Sequence, residues 1–301
     1  MSMQVQGTTP LWIAARILLS ERVDDFSRHR DKVLKTFDPE DIHDLRVASR
    51  RLREGLSLFE PCYGTENLAI LIKKLKQVTR LLGDMRNIDE AILFFAELAD
   101  ELGEPSHSCL EQLVQKFRKN RKRGLKRLKT GLREIMPKSQ LNLFRGVVNS
   151  PTLFNQPEKS VDLLAPLTGF ARCSLDGRLS DVLKLLPDAR QPGEIEAQHL
   201  LRIAVKHYRY RMEMLAFLIG PGYEELHTEV KGYQDVLGKM HDLDVFAGIV
   251  RDAAYGSQTE KPVLDAIATK REKFFSHFCS LQAASPFERI GLQTSGWERF
   301  E

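Results

Sequence analysis

Two rows of basic residues with identical spacing are the part of this sequence best suited to binding a charged ligand. Each row places a histidine and three Arg or Lys residues at relative positions 0, 3, 7 and 10. The first row is His43, Arg46, Arg50 and Arg53, and the second is His199, Arg202, Lys206 and Arg209. Guanidinium groups donate paired hydrogen bonds to phosphate oxygens, and ammonium groups act as mobile point charges. The residue types and spacing therefore predict noncovalent binding of a polyanion.

Each row requires a helix to bring its members to one face. Steps of three and four residues fall within roughly 80° of one another around an α-helix. Apolar residues occupy the opposite side of both segments: Leu45, Ala48, Leu52, Leu56 and Phe59 in the first, and Leu201, Ala204, Val205, Tyr208 and Leu215 in the second. We therefore expect two amphipathic helices, each with one face in a core and one cationic face.

A second motif also occurs twice, at nearly the same distance from each row. Leu-Gly-Asp-Met-Arg-Asn-Ile-Asp over 82–89 corresponds to Leu-Gly-Lys-Met-His-Asp-Leu-Asp over 237–244. Gly83 and Gly238 suit the left-handed position that ends a helix, and Asn87 and Asp242 suit the N-cap of the next one. The sequence thus predicts a turn between two helices at each motif. Two motifs repeated in the same order also predict an internal repeat.

Hydrophobic periodicity predicts an all-α protein. Apolar residues recur at three- and four-residue steps, whereas alternating β-branched runs are scarce. The helical segments are 12–36, 43–60, 67–82, 88–102, 108–135, 160–186, 197–218, 224–237, 243–254 and 261–282. Because 137–160 has prolines and little periodicity, we predict that it connects a first helical repeat at 10–136 to a second at 161–285. The whole chain, 1–301, is then one domain made of two similar helical halves.

Composition restricts the protein class and its location. Lys and Arg exceed Asp and Glu only by 45 to 41, a net charge of +4, so any basic site must be local. Four widely separated cysteines without CxxC spacing disfavour a zinc site or a dense disulfide framework. The apolar stretch 11–19 is too short to span a bilayer, and no export signal is recognised. We therefore expect a cytoplasmic protein that makes no membrane contact.

Further cations extend the candidate site. Arg86 and His241 occupy equivalent positions in the two copies of the second motif. Arg121 and Arg271 fall in phase with apolar seams, where a cation has to be paired or face a polar cavity. The remaining candidates are Lys73, Lys76, Arg80, Arg118, Lys122 and Lys231. We expect no catalytic residue, no metal ligand and no cofactor.

The two motifs together resemble those of the CHAD domains, the conserved histidine α-helical domains. The string from His43 to Arg53 resembles H-x-x-R-x-x-x-[RK]-x-x-R, and both Leu-Gly-x-Met-x-x-[IL]-Asp strings resemble the family's second hallmark. The resemblance covers residues 10–285. It implies two antiparallel four-helix bundles related by a pseudo-twofold axis, with a basic central channel that binds inorganic polyphosphate. The E-x-E-x-K signature of triphosphatase domains fused to some relatives is not matched at 194–198, so a stand-alone, non-catalytic module is implied.

Inorganic polyphosphate is therefore the expected partner. It is a flexible chain with about one charge per phosphate and no base or sugar to read, so its binder needs many converging donors. A polyphosphate granule and a separate polyphosphate-metabolising enzyme are further candidate partners. His43, His199 and His241 would add charge as the pH falls, because an unperturbed imidazole has a pKa of about 6.5. Binding should then strengthen in acid.

Two other classes compete with this interpretation. Nucleic acid offers the same phosphates, but the aromatic residues mostly occupy core positions and leave few platforms for stacking bases. A metal-dependent phosphohydrolase could use the 241–244 string with His43, since such chemistry needs several carboxylates and histidines. The matching string at 86–89 lacks the histidine and one carboxylate. Asp89 and Asp244 are therefore expected to orient arginines of the basic rows, and nucleic acid and hydrolysis stay the alternatives.

Overall fold

The computed structural model describes residues 4–152, 161–253 and 256–294, apart from the side chains of 65–67 and 257. Across these ranges the chain is all-α, which confirms the predicted fold class. Its α-helices are α1 Leu11–Thr36, α2 Pro39–Leu58, α3 Thr65–Leu102, α4 Ser106–Ile135, α5 Lys138–Val148, α6 Leu167–Ala189, α7 Ile195–Met214, α8 Ala216–Ile219, α9 Tyr223–Ala253, α10 Ser257–Ala284 and α11 Phe287–Thr294. No helix in the described ranges has the length and hydropathy needed to cross a membrane.

The helix that carries the first basic row begins at a local sequence signal. Pro39 occupies the first turn of α2, and the Asp38 carboxylate accepts a hydrogen bond from the Glu40 backbone N–H at 2.9 Å. Backbone N–H groups in the first turn of a helix have no acceptor within the helix. Proline has no such N–H, and the Asp38 carboxylate accepts the hydrogen bond of the Glu40 N–H. The preceding helix, α1, ends at Phe37, which has a left-handed φ of 53° and donates its N–H to the Val33 carbonyl. These two signals fix where the row starts.

The two basic rows have the same position within their helices. α2 and α7 each contain 20 residues. The separation from Pro39 to Ile195, where the helices begin, equals the separation from His43 to His199. Each row therefore starts one turn after the start of its helix.

The turns predicted at Gly83 and Gly238 do not form, and this prediction is wrong. α3 and α9 run without interruption through both glycines, so Asn87 and Asp242 do not cap new helices. A glycine inside a helix costs only about 1 kcal/mol relative to alanine. Leu237 is buried directly before its glycine, and the buried apolar positions continue beyond it. Tertiary packing along these long helices therefore outweighs the local signal.

The predicted connection at 137–160 contains a helix that the periodicity did not reveal. α5 occupies Lys138–Val148 and packs against α1 through a face that includes Leu141, Phe144 and Val148. A short helix offers too few turns for a clear pattern, and the same applies to α11. Residues 153–160 of the predicted connection lie outside the described residues.

The chain divides into two compact units. Unit 1 comprises 1–87 and 120–174, and unit 2 comprises 88–119 and 175–301. Unit 1 thus contains α1, α2 and α5, and unit 2 contains α7 to α11. These units are defined by packing, whereas the repeats predicted at 10–136 and 161–285 are defined by sequence similarity and stay predictions.

Each unit has a core beneath its basic row. In unit 1, α1 packs on α2, and Phe26 of α1 is buried, as are Leu45 and Leu52 of α2. In unit 2, α9 packs on α7, α10 and α11. The Tyr208 hydroxyl of α7 lies 2.6 Å from the Thr294 hydroxyl of α11, and both residues are buried. The apolar side of each row-bearing helix is therefore held by neighbouring helices of its own unit.

Candidate functional site

The first basic row lies on the solvent-facing side of α2. His43 is exposed, and Arg46, Arg50 and Arg53 are partly exposed. All five apolar residues predicted for the other side are buried: Leu45, Ala48, Leu52, Leu56 and Phe59. The predicted division of α2 into an apolar and a cationic face is confirmed.

A polar contact joins α2 to α3 beside this row. Thr79 of α3 and Ser49 of α2 are both buried, and their hydroxyl oxygens lie 3.3 Å apart. Ser49 also donates to the Arg46 carbonyl at 2.8 Å. Arg50 directly follows Ser49 in the sequence, and Arg80 directly follows Thr79. The contact therefore joins α2 to the part of α3 that belongs to unit 1, where both helices carry basic residues.

Arg53, at the end of the first row, is partly desolvated. Burial lowers the pKa of its guanidinium, the positive charge of Arg50 lowers it further, and Glu54 acts in the opposite direction. Glu54 is 3% exposed, so this carboxylate lies in the core rather than in the row. A partly desolvated guanidinium interacts more strongly with an incoming anion than one in bulk water.

The second basic row lies on α7 and is less exposed than the first. His199, Arg202, Lys206 and Arg209 are all partly buried. On the other side, Leu201, Val205, Tyr208 and Leu215 are buried, and Ala204 is partly buried. The cationic side faces α9, because α7 and α9 pack together and a side chain at Gly238 would lie 3.9 Å from Arg202 Nε. The glycine of the second motif thus leaves open space next to a cation of the row.

Three neighbours hold Arg209 at the end of the second row. Its Nε donates to Gln234 Oε1 at 2.9 Å, and its Nη1 lies 3.3 Å from Glu213 Oε1. Its guanidinium also stacks on the Tyr210 ring, 4.8 Å from the centroid. His227 Nε2 lies 3.0 Å from the same Glu213 oxygen. Arg209 is therefore fixed in place and its charge is partly balanced.

Two predicted site histidines contact each other between α7 and α9. His199 Nδ1 and His241 Nδ1 are 3.0 Å apart, and the ring centroids are 4.4 Å apart with an interplanar angle of 36°. The pKa of His241 is lowered to about 4, chiefly by burial and then by the positive charge of Arg202. Burial and a repulsive charge both disfavour the imidazolium, so the His241 ring lies among cations without adding to their charge near neutral pH.

Arg271 joins three helices of unit 2. Its Nε donates to Asp244 Oδ1 of α9 at 2.5 Å, and its Nη2 donates to Asp244 Oδ2 at 3.2 Å and to Gln198 Oε1 of α7 at 2.6 Å. The expectation that an arginine in an apolar seam is paired is confirmed. Asp244 does orient an arginine, but this arginine belongs to α10 and not to a basic row.

The remaining predicted cations lie on several helices of both units. Lys73, Lys76 and Arg80 of α3, Arg118 and Lys122 of α4, and Lys231 of α9 are exposed. Arg86 of α3 and Arg121 of α4 are partly buried. Phosphate contact by each of these residues stays a prediction.

Sequence reasoning missed the polar residues that hold Arg271 and Arg209. Gln198 donates to the Ala189 and Gln191 carbonyls while it accepts from Arg271, and Gln234 and Glu213 hold Arg209. The position of Gln198 directly before His199 was the available signal, since it places the amide at the edge of the basic face. The described ranges contain no cluster of three or more His, Cys, Asp or Glu side chains suited to a metal ion.

Comparison with known proteins gives a family match and structural matches. A family model described as the CHAD domain matches residues 17–251. The chain is similar to the crystal structure of the CHAD domain from the plant Ricinus communis, with a TM-score of 0.64 and 21% identity over 98% of this chain and 95% of that one. It is also similar to PptA from Streptomyces chartreusis, with a TM-score of 0.61 and 15% identity over 94% of this chain and 99% of that one. Comparison with curated proteins gives no match.

Proposed function

This chain belongs to the CHAD-domain family, and on that premise we propose that it binds inorganic polyphosphate through the basic rows of α2 and α7. The observation that carries the proposal is the repetition of one cationic register, once in each compact unit. Each row begins one turn into a 20-residue helix and is backed by a buried apolar face. Two such rows supply many donors to a flexible ligand that has no other feature to recognise.

The residues of the rows have different roles in this proposal. Direct phosphate contact is assigned to Arg46, Arg50, Arg53, Arg202 and Lys206, with His43, His199, Arg86 and His241 beside them. Arg209 and Arg271 are positioning residues, because carboxylates already engage their guanidinium groups. The net charge of +4 is too small to attract a polyanion to the whole surface, so affinity has to come from the rows.

The surroundings of Asp244 favour binding over hydrolysis. Both of its carboxylate oxygens accept hydrogen bonds from Arg271, which neutralises the acid and fixes its orientation. A carboxylate held in this way is poorly suited to ligate a metal or to activate water. A non-catalytic binding protein is therefore the proposed class. A shared central channel, a cytoplasmic location, association with a polyphosphate granule and recruitment of a polyphosphate-metabolising enzyme stay predictions.

Parallel titrations with two polyanions test the proposal. The full chain is titrated with long-chain polyphosphate and with single-stranded DNA of matched charge at several salt concentrations. Polyphosphate should bind tightly and lose affinity steeply as salt rises, because each neutralised phosphate releases counterions. The double change Arg46→Glu with Arg202→Glu, one residue in each row, should abolish binding while circular dichroism still reports a helical protein.

A charge-matched variant distinguishes the contribution of the basic rows to binding from the contribution of the net charge. Lys126→Glu with Lys273→Glu also places one reversal in each unit and changes the net charge by the same amount, but at exposed positions outside the rows. This variant should bind polyphosphate nearly as well as the unmodified chain. Equal loss in both variants would mean that only net charge matters. Equal affinity for DNA would favour the nucleic-acid alternative, and metal-dependent release of phosphate would favour an enzyme.

A further inference from the structure

We infer that the His199–His241 pair is a proton-linked element of the polyanion site, which takes up one proton when polyphosphate binds beside Arg202 and Lys206. The inference rests on the proposed function and adds regulation to that same site. The two rings belong to different helices, α7 and α9, which pack together in unit 2. The pair therefore forms only when unit 2 is folded.

The geometry of the pair limits how many protons it can hold. With 3.0 Å between the two Nδ1 atoms, one ring donates its N–H and the other accepts through its lone pair. One added proton at a remote Nε2 keeps this hydrogen bond. A second proton would place two N–H groups against each other at the same short distance. The geometry of the pair thus has room for one added proton and disfavours a second.

Burial first, and then the charges on the neighbouring helix, disfavour the imidazolium of His241 in the free protein. From α7, Arg202 and Lys206 lower the pKa of His241, while Asp244 of its own helix raises it. Arg271 of α10 engages Asp244 and limits the help that this acid can give. The charged residues of α11 act elsewhere, since Arg289 pairs with Glu229 and Glu288 acts on Tyr233.

A bound polyphosphate opposes the electrostatic part of this penalty. Phosphates held by Arg202 and Lys206 offset two of the charges that disfavour the imidazolium, and they add negative charge close to both rings. The pKa of His241 then rises in the complex. By linkage, a ligand that raises a pKa binds more tightly as the pH falls through the range between the free and bound values. One proton limits the gain to about tenfold in affinity per pH unit.

Calorimetry measures the proton uptake directly. The full chain is titrated with long-chain polyphosphate, whose interior phosphates stay ionised, at about pH 5.5 and about pH 8 in buffers of different ionisation enthalpy. At the lower pH the unmodified chain should take up close to one proton more than the His241→Gln variant. At the higher pH that difference should vanish. His277→Gln, which changes an exposed histidine of α10, is the matched control and should behave like the unmodified chain.

Variants of both histidines test whether they act as a pair. His199→Gln should remove the same uptake as His241→Gln, and the double variant should remove no more than either one. If His241→Gln unfolds the protein by circular dichroism, His199→Gln carries the test. Uptake unchanged in these variants, or a double variant that loses twice as much as each single one, would overturn the inference while polyphosphate binding stood. No binding of polyphosphate at either pH would overturn the proposed function as well.

Discussion

Arg271 of α10 donates to both carboxylate oxygens of Asp244 in α9, and the two side chains are only 14% and 21% exposed. The same guanidinium donates to Gln198 of α7, whose amide donates to carbonyls at the end of α6 and just after it. One arginine therefore links the helix that carries the second basic row to the helix that carries His241. We expect the geometry of the proposed site to depend on this arginine, which lies outside both basic rows.

The first prediction concerns this ion pair. Asp244→Ala should lower the free energy of unfolding by about 2–3 kcal/mol, because it leaves the Arg271 guanidinium mostly buried without its counter-charge. Urea denaturation monitored by circular dichroism measures the change. The more exposed pair between Arg289 and Glu229 is the control, and Glu229→Ala should cost less than about 1 kcal/mol. Equal losses of unfolding free energy in the two variants would mean that burial does not increase the contribution of the Asp244–Arg271 pair to stability.

The second prediction concerns the number of phosphates that the rows neutralise. Arg50→Gln and Lys206→Gln should each reduce the magnitude of the slope of log affinity against log salt by about 0.7–0.9, since each removes one counterion-releasing contact. Polyphosphate titrations at a series of salt concentrations give the slope. Lys184→Gln, an exposed lysine of α6, should leave it unchanged. A slope that is insensitive to both row variants would remove these residues from the binding surface.

The third prediction concerns stability against pH in the free protein. His241 has a folded pKa of about 4, below the ordinary imidazole value, so between the two values the unfolded chain binds more protons. Stability is then full above about pH 6.5 and declines as the pH falls toward 4. Allowing for solvent screening of a partly exposed ring, the loss between about pH 7.5 and 5 should be roughly 1–2 kcal/mol. Urea midpoints at both pH values measure it.

His241→Gln should remove this part of the pH dependence, whereas His277→Gln should keep it. A fall in pH should therefore destabilise the free protein but strengthen polyphosphate binding, because negative charge beside His241 favours its imidazolium. A pH profile that is identical in both variants would show that His241 does not carry the effect.

The fourth prediction concerns Gly83 inside α3 and Gly103 directly after that helix. Gly83 has no neighbouring atom within 4 Å of an added Cβ, so Gly83→Ala should stabilise the protein by up to about 1 kcal/mol. Gly103 has a φ of 65°, and Gly103→Ala should destabilise it by about 1 kcal/mol or more. Thermal and urea unfolding compare the signs. If Gly83→Ala destabilises the protein, the result would support the turn that the sequence pattern predicted at Gly83.

The local character of helix periodicity explains which features of the fold the sequence predicts. α1, α2, α4 and α7 begin and end close to their predicted bounds, and the apolar side of α2 is buried as expected. The failures occur where a local signal and tertiary packing disagree. Gly83 and Gly238 match a helix end, yet both helices continue, because a few apolar contacts on either side outweigh about 1 kcal/mol of glycine propensity.

The sequence by itself determined the cationic faces, since steps of three and four residues specify one side of a helix regardless of what packs on the other. It also determined the family, because two motifs recur in the same order. Only the tertiary structure decided which cations are engaged and which histidines meet. His199 and His241 are 42 positions apart, and Arg271 and Gln198 are 73 apart. Charge, burial and hydrogen bonding act through distance in space, and no spacing along the chain records them.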